Sequence, residues 1–474
     1  MRAHASAAPK RAVSTEPRVT VVVLAAGKGV RMNSRLPKVL HPVAGRPMLL
    51  WSMAAARALD PARTLVVVNP TQDGVQAVLN GEGQTVAQSK ALGTGHALAQ
   101  VAAAHRTAGP VVVLYADAPL LRGETLAALL AEHEKSRAAV TLLTADLENP
   151  RGYGRIVRAR NGAVRDIIEE KDATGEQKGI REVNSGVYVF SGRELWPALA
   201  KLENKNRAGE YYLTDIVRLI KGKVHTWPVE DRNEILGIND RRQLAEAERV
   251  MRQRILDGLM TSGVTIADPA TTFIDADVHI GRDTVVLPFS LISGESTIGE
   301  DCVIGPFAQI RDSIIGEACR IERAHVDQST LAQNVHVGPF SRLRPGSVLD
   351  DGVRVGTHAE IKNSHIGAGT AIAHFSAVLD SDVGANANIG AGTVTANFDG
   401  VDKHRTEIGD RAQVGSDTIL VAPVRVGEDA YTAAGSVITA DVPAGSLAIE
   451  RSEQKIVPGW TERRRGRRKR EDST

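Results

Sequence analysis

After Ser262 an aliphatic residue followed by glycine keeps returning: Ile280-Gly281, Ile298-Gly299, Ile304-Gly305, Ile315-Gly316, Val337-Gly338, Val355-Gly356, Ile366-Gly367, Val383-Gly384, Ile389-Gly390, Ile408-Gly409, Val414-Gly415 and Val426-Gly427. Positions 298 and 304, 383 and 389, and 408 and 414 are six apart, while 280 and 298, and 337 and 355, are eighteen apart. Six residues make one flat side of a parallel β-helix, and eighteen make one triangular turn. The aliphatic residue points inward, one per side, and its small neighbour lets the backbone turn a corner. Glycine turns scattered through a β-sandwich would not keep this period. Each coil touches only its neighbours, so the array is stable as a stack and its end coils need caps. The 44 glycines and the 4% aromatic content suit this economy of small, closely packed side chains.

The first half has a different texture. From Val19 to about Asn239, β-branched runs (VTVVVLAA, TLVVV, VVVLYAD, AVTLLTA) alternate with helix-like segments (PMLLWSMAAARAL, GHALAQVAAAH, TLAALLAEHEK). That alternation predicts an α/β domain on a largely parallel sheet, with ligands at the carboxyl ends of its strands. Residues 240–262 carry apolar side chains at helical spacing (Leu244, Ala247, Val250, Met251, Ile255) and read as a linking helix. The chain therefore divides into a nucleotide-type α/β domain at 18–239, the linker at 240–262 and the repeat domain at 263–456. Its 474 residues are about three domains' worth at ~150 residues each.

Several function classes are excluded by composition. Two cysteines, Cys302 and Cys319, make neither a disulfide framework nor a four-cysteine zinc site, and point to a reducing cytoplasm. No stretch free of Asp, Glu, Lys and Arg reaches the ~18 residues that span a bilayer. The N-terminal residues 1–17 are basic and Ala-rich without an apolar segment, so a disordered tail is expected there rather than a signal peptide. Seven of the eight residues at 463–470 are Lys or Arg, so the formal net charge of +2 conceals an acidic remainder. No aromatic residue is interleaved with those charges to stack on bases, so 457–474 is expected to be a solvated, disordered end that does not bind nucleic acid.

The first strand runs into LAAGKGVRM at 24–32. Glycines where a strand becomes a loop let phosphate approach backbone N–H groups, and Lys28 and Arg31 can neutralise its charge. The spacing is neither a Walker A loop nor a dinucleotide fingerprint, because Met32 stands where the third glycine would be.

With LPKVLHPVAG (36–45), LGTGHA (92–97), DAPLL (117–121), GYGRIV (152–157), EEKDAT (169–174), VNSG (183–186), GEYYLTDI (209–216) and GIND (237–240), the chain resembles the sugar-1-phosphate nucleotidyltransferases, motif by motif and in order. Together with the hexapeptide repeats, residues 19–455 resemble the bacterial family in which an N-acetylglucosamine-1-phosphate uridyltransferase is fused to a glucosamine-1-phosphate N-acetyltransferase. The resemblance implies a Rossmann-like domain followed by a left-handed parallel β-helix, a cytoplasmic homotrimer, and the substrates UTP, N-acetylglucosamine 1-phosphate, glucosamine 1-phosphate and acetyl-CoA. It also implies Mg²⁺ held by Asp117 and Asn239, with Arg31 and Lys38 as catalytic cations. Leu24, Ala25, Ala26 and Gly27 would lie on the uridine side, Gln88, Gly93 and Thr94 would read the uracil, and Gly154, Glu169, Asn184 and Asn239 would hold the sugar phosphate. One departure stands beside the metal carboxylate: Ala116 replaces a usual glycine, and its methyl is expected to crowd the sugar or shift the backbone.

Acetyl transfer to an amine needs a general base, and among 13 histidines the resemblance selects His374, with Glu360 as a candidate to orient it. It places Arg344, Lys362, Asn388 and Lys403 on the amino sugar phosphate, and Asn397, Phe398, Ser416, Ala434 and Arg451 around acetyl-CoA. Ala377 and Phe398 stand where the family has tyrosines, so two phenolic hydroxyls are missing. That leaves three readings: a bifunctional enzyme, a nucleotidyltransferase on a structural β-helix, and a silent interaction subunit. The third has no use for a phosphate-and-metal constellation.

Overall fold

The computed structural model describes residues 19–471, with side chains through residue 465. The expectation for residues 1–17 lies outside them. The chain forms two compact units, one ending at Arg254 and the other beginning at Ile255, so the division falls inside the helix Arg241–Thr261.

The first unit is built on a nine-stranded sheet whose main path runs Val224–Pro228, Val140–Asp146, Glu182–Ser191, Pro110–Tyr115, Thr20–Leu24, Arg63–Val68, Gln84–Ala87. Glu182–Ser191 is antiparallel to both neighbours, and the other pairings along this path are parallel. The β-branched runs fit because both faces are covered. In the strand Thr20–Leu24, Val21 and Val23 pack into one apolar cluster and Val22 into the other. Parallel pairing sets Leu24 beside Tyr115 and Val67, so three strands end together at one edge.

The second unit is a three-sided parallel β-helix with sheets of eleven, ten and nine strands, as expected of hexapeptide repeats. Each two- or three-residue strand pairs in parallel with its equivalent one coil on: Ile280 with Ile298, Ile298 with Ile315, Ile315 with Leu331. Inward packing is denser than one aliphatic residue per side. A second buried residue, small and often polar, sits two positions earlier: Ser296 before Ile298, Cys302 before Ile304, Ala308 before Ile310, Ser313 before Ile315. Their hydroxyls and thiols are satisfied by backbone, as in Ser296 Oγ to Ser293 O at 2.7 Å and Cys302 Sγ to Gly316 O at 3.1 Å. Cys302 and Cys319 are buried free thiols at two of these positions.

The glycine after the aliphatic residue serves close approach between coils. A Cβ at Gly409 would lie 2.5 Å from Glu428 N, and one at Gly427 would lie 2.5 Å from Ala444 N. The left-handed corner falls two residues later, on Asp283, Asp301, Ala318 and Asn334, with φ between 56° and 59°. One outer corner carries a ladder of side chains. Phe289 stacks on Phe307 at 4.8 Å, Arg323 lies over both Phe307 and Phe340, and His358 stacks between Phe340 and Phe375 at 5.1 Å from each.

Residues Trp460–Glu471 form a helix where a disordered basic end was expected. Arg, Lys and Glu are good helix formers despite their low hydropathy, and the Arg464 guanidinium lies 5.0 Å from the Trp460 ring one turn away. Among the described residues no helix is long and apolar enough to cross a membrane.

Truncating Ile361, fully buried on an inner face, should cost about 2–5 kcal/mol of β-helix stability in denaturant unfolding. Thr330→Ala, on the outer face of a neighbouring side, should change it by no more than about 0.5 kcal/mol.

Candidate active sites

At the shared strand edge of the first unit lies a cavity of about 650 Å³. It is lined by Leu24, Ala25, Ala26, Gly27, Lys28, Arg31, Lys38, Gln88, Gly93, Thr94, Tyr115, Asp117 and Asn239, with Glu210 besides. Gly27 has nothing within 4 Å of where a Cβ would stand, so the protein's own packing does not demand it, and its backbone is open to a ligand. Gly29 is different: with φ 61° and a would-be Cβ 2.5 Å from Lys38 Cβ, it lets the loop close onto Lys38. The Lys38 ammonium forms an ion pair with Asp117 Oδ2 and donates to Asn239 Oδ1 at 3.4 Å, while Arg31 Nη2 donates to the same Asn239 oxygen at 2.9 Å. Ile238 N–H also bonds Asp117 O at 2.9 Å. Asp117 and Asn239, far apart in sequence, are thus one group.

Those two oxygens are the pair implied as metal ligands. They already attract a cation, the Lys38 ammonium, and one carboxylate plus an amide oxygen matches the sparse protein share of a site completed by substrate phosphates. Among the described residues no cluster of three or more His, Cys, Asp or Glu could hold a metal by itself.

Gln88 is buried and donates to Gly93 O at 3.1 Å, which fixes its amide at the cavity wall. Gly93 and Gly95 are required by packing: a Cβ at either would lie within 3.0 Å of the Tyr211 backbone, and Gly95 N–H bonds Tyr211 O at 2.8 Å. The GEYYLTDI motif therefore buttresses LGTGHA. It also supplies Thr214, whose hydroxyl donates to Glu169 Oε1 at 3.0 Å.

Gly154, Glu169 and Asn184 come together. A Cβ on Gly154 would lie 3.6 Å from Glu169 Oε1 and 3.7 Å from Asn184 Cβ. The adjacent carboxylates diverge: Glu170 pairs with the buried Arg155 at 2.7 Å and accepts from Gly152 N–H at 3.2 Å, holding the loop before Gly154. Burial raises the Glu169 pKa, against a smaller lowering by the Thr214 hydrogen bond. Residue types did not reveal Thr214 or Arg155; only the motifs containing them carried a signal. Ala116 corrects an expectation. It is fully buried in the apolar core, its N–H bonds Leu24 O at 3.1 Å, and its methyl does not line the cavity.

In the second unit a cationic cluster forms where two sides of the β-helix meet. Lys362 and Lys403 are close enough that the second ammonium lowers the pKa of the first, and Arg344 adds to the effect. Asp380 stands beneath them, accepting from Asn363 Nδ2 at 2.6 Å and from Asn397 Nδ2. Burial would raise its pKa, but the two amides and the two ammoniums outweigh it and hold the carboxylate below its ordinary value. Lys403, Asn397 and Phe398 belong to an excursion at 397–405, between the strands Val394–Ala396 and Thr406–Ile408, which folds back through a Phe398–Lys403 bridge. Arg344 donates to Glu360 at 2.7 Å, so Glu360 orients Arg344 rather than His374.

His374 is exposed on another corner, its Nδ1 3.0 Å from where a Gly356 Cβ would be. Below it the same corner descends coil by coil: His374 O takes Gly392 N–H, Ala391 O takes Asp417 N–H, and Ser416 O takes Gly435 N–H. Arg451 Nη1 ends the column on Ala434 O at 3.2 Å. His374, Ser416, Ala434 and Arg451 thus share one line. Asn388 is on a different side, in the strand Asn388–Ile389, away from the strand Glu360–Lys362.

Family models match three stretches: a MobA-like NTP transferase domain over 21–219, a bacterial transferase hexapeptide over 277–312, and a GlmU-like C-terminal hexapeptide over 305–388. The chain is 46% identical over 445 residues to the bifunctional protein GlmU of Syntrophomonas wolfei, covering 93% of this chain and 99% of that one. It is 47% identical over 449 residues to that of Pelobacter propionicus, covering 93% and 98%, and 45% identical over 456 residues to that of Streptomyces avermitilis, covering 94% of each.

A carboxyl whose folded pKa is raised supports the fold fully at acid pH and progressively less as pH climbs through that raised value. Glu169→Gln cannot ionise, so between pH ~5 and ~8 its thermal unfolding midpoint should fall less than that of the wild type, as read by calorimetry.

Proposed function

The chain belongs to the bifunctional GlmU family, and from that premise we propose that each unit houses one reaction of UDP-N-acetylglucosamine synthesis. The first unit transfers uridyl from UTP to N-acetylglucosamine 1-phosphate. The observation that carries this is the convergence of Lys38, Arg31, Asp117 and Asn239 on one edge of the cavity.

Both reactants are anions, so the work is positioning and charge neutralisation. The glycine-rich loop offers backbone to the triphosphate, with Lys28, Arg31 and Lys38 as its cations. Leu24, Ala25, Ala26, Gln88, Gly93 and Thr94 take the uridine. Gly154, Glu169 and Asn184 hold the sugar so that its phosphate oxygen faces the α-phosphorus in line with departing pyrophosphate. A divalent cation, Mg²⁺ by the chemistry of its phosphate partners, would be held by Asp117 and Asn239 and supply further charge neutralisation.

The second unit acetylates glucosamine 1-phosphate. Arg344, Lys362 and Lys403 hold the phosphate, His374 takes the amine proton, and the column through Ser416, Ala434 and Arg451 receives acetyl-CoA, with Asn397 and Phe398 at its acetyl end. Asn388 lies on a different side from Lys362, which supports a site completed by a neighbouring copy in a homotrimer. Buried thiols suit a reduced, cytoplasmic protein. A second reading, in which the β-helix serves assembly alone, is favoured by the missing hydroxyls at Ala377 and Phe398.

Thiol release from acetyl-CoA with glucosamine 1-phosphate separates the two readings. It should be present and fall about 10²- to 10⁴-fold in His374→Ala, with pyrophosphate formation untouched. A chelator should do the reverse, abolishing pyrophosphate formation and sparing thiol release. Pyrophosphate formation without thiol release would establish the second reading.

A further inference from the structure

Tyr188 is fully buried in the strand Glu182–Ser191, stacked on Phe190 at 5.4 Å. It lines no cavity described above. Its hydroxyl accepts from Asn184 Nδ2 at 2.7 Å, and Asn184 Oδ1 in turn accepts from Gly186 N–H at 3.2 Å. The pairing register of the strand shifts between Asn184 and Tyr188, which lets one side chain reach the other. Gly186, at φ 84°, sits so close to Tyr115 that a Cβ would lie 2.5 Å from the ring. Tyr115 in turn lines the cavity together with Thr94. Thr94 Oγ1 accepts from Leu213 N–H at 3.1 Å.

Packing explains the Tyr188 ring but not its hydroxyl, since Phe190 fills the same core without one. A buried phenol is tolerated when its hydroxyl finds a partner, and here the partner is Asn184, a residue of the sugar end of the cleft. Asn184 is assigned to the sugar, and the Gly186 whose N–H it accepts packs on Tyr115 at the cavity wall. We propose that Tyr188 is a positioning residue of uridyl transfer, whose hydroxyl fixes the Asn184 amide at the sugar end of the cleft. The proposal rests on the uridyltransferase reading above. A phenylalanine at 188 keeps the ring and leaves the Asn184 donor without its buried acceptor.

The test is Tyr188→Phe in the full-length protein, with initial rates of pyrophosphate release measured while each substrate is varied, alongside thermal unfolding and thiol release. The expected result is a KM for N-acetylglucosamine 1-phosphate raised about tenfold, with kcat and the KM for UTP within about twofold. The unfolding midpoint of the first unit should shift by a few degrees at most, and thiol release should be unchanged. An unchanged KM for N-acetylglucosamine 1-phosphate would overturn the proposal while leaving the reading intact. A fall in kcat with no change in either KM, tracking lost thermal stability, would reduce Tyr188 to a packing residue. A wild type that makes no pyrophosphate from these substrates would overturn the reading and the proposal with it.

Discussion

Parallel pairing brings equivalent ends of successive strands side by side, and both units depend on that constraint. In the first unit it gathers Leu24, Val67 and Tyr115 at one edge, so the loops that follow share a single cleft. In the second it repeats at every coil and turns corners into lines. His374, Ala391, Ser416 and Ala434 are distant in sequence, yet each lies one coil from the next because the ladder leaves them nowhere else to be. An antiparallel fold would have scattered both sets.

The electrostatics of the two sites follow different designs. Around Lys38 the cations are matched internally, since Asp117 and Asn239 offer oxygens that hold the ammonium in place. Around Lys362 and Lys403 like charges are forced together, and Asp380 compensates only in part, because the lowered pKa of Lys362 records the repulsion that remains. A site of the first kind is internally paired before anything binds. A site of the second kind gains by taking up an anion.

Much of the architecture is readable in the sequence because it is periodic. The recurrence of Ile-Gly and Val-Gly follows directly from inward packing and the lack of room beside the next coil, as Gly409 and Gly427 show. The small inward residues at Ser296 and Ala308 escape notice because their variety of type hides their common position. Pairings that depend on tertiary approach are invisible in sequence. Glu169 and Glu170 look like one solvated cluster, yet one is buried against Thr214 and the other clamps Arg155. Glu360 stands at the right distance in sequence to serve His374 and instead binds Arg344, since the stack sets it opposite the neighbouring coil. Ala116 looked intrusive only because a sequence does not say which way a methyl points. The helix Trp460–Glu471 shows that a charge run lacks core-forming power without lacking helical propensity.

The excursion at 397–405 has a bearing on how such a molecule changes over time. The strands on either side of it stay in register with the coils above and below, Ser381 with Thr406 and Thr395 with Leu420. Inside a strand, one inserted residue would exchange inner and outer faces for the whole side. At a corner, a loop of several residues disturbs nothing beyond itself. The β-helix is therefore strict along its sides and permissive at its vertices. Novel chemistry can be grafted at a vertex by a single insertion, without any compensating change in the scaffold that carries it.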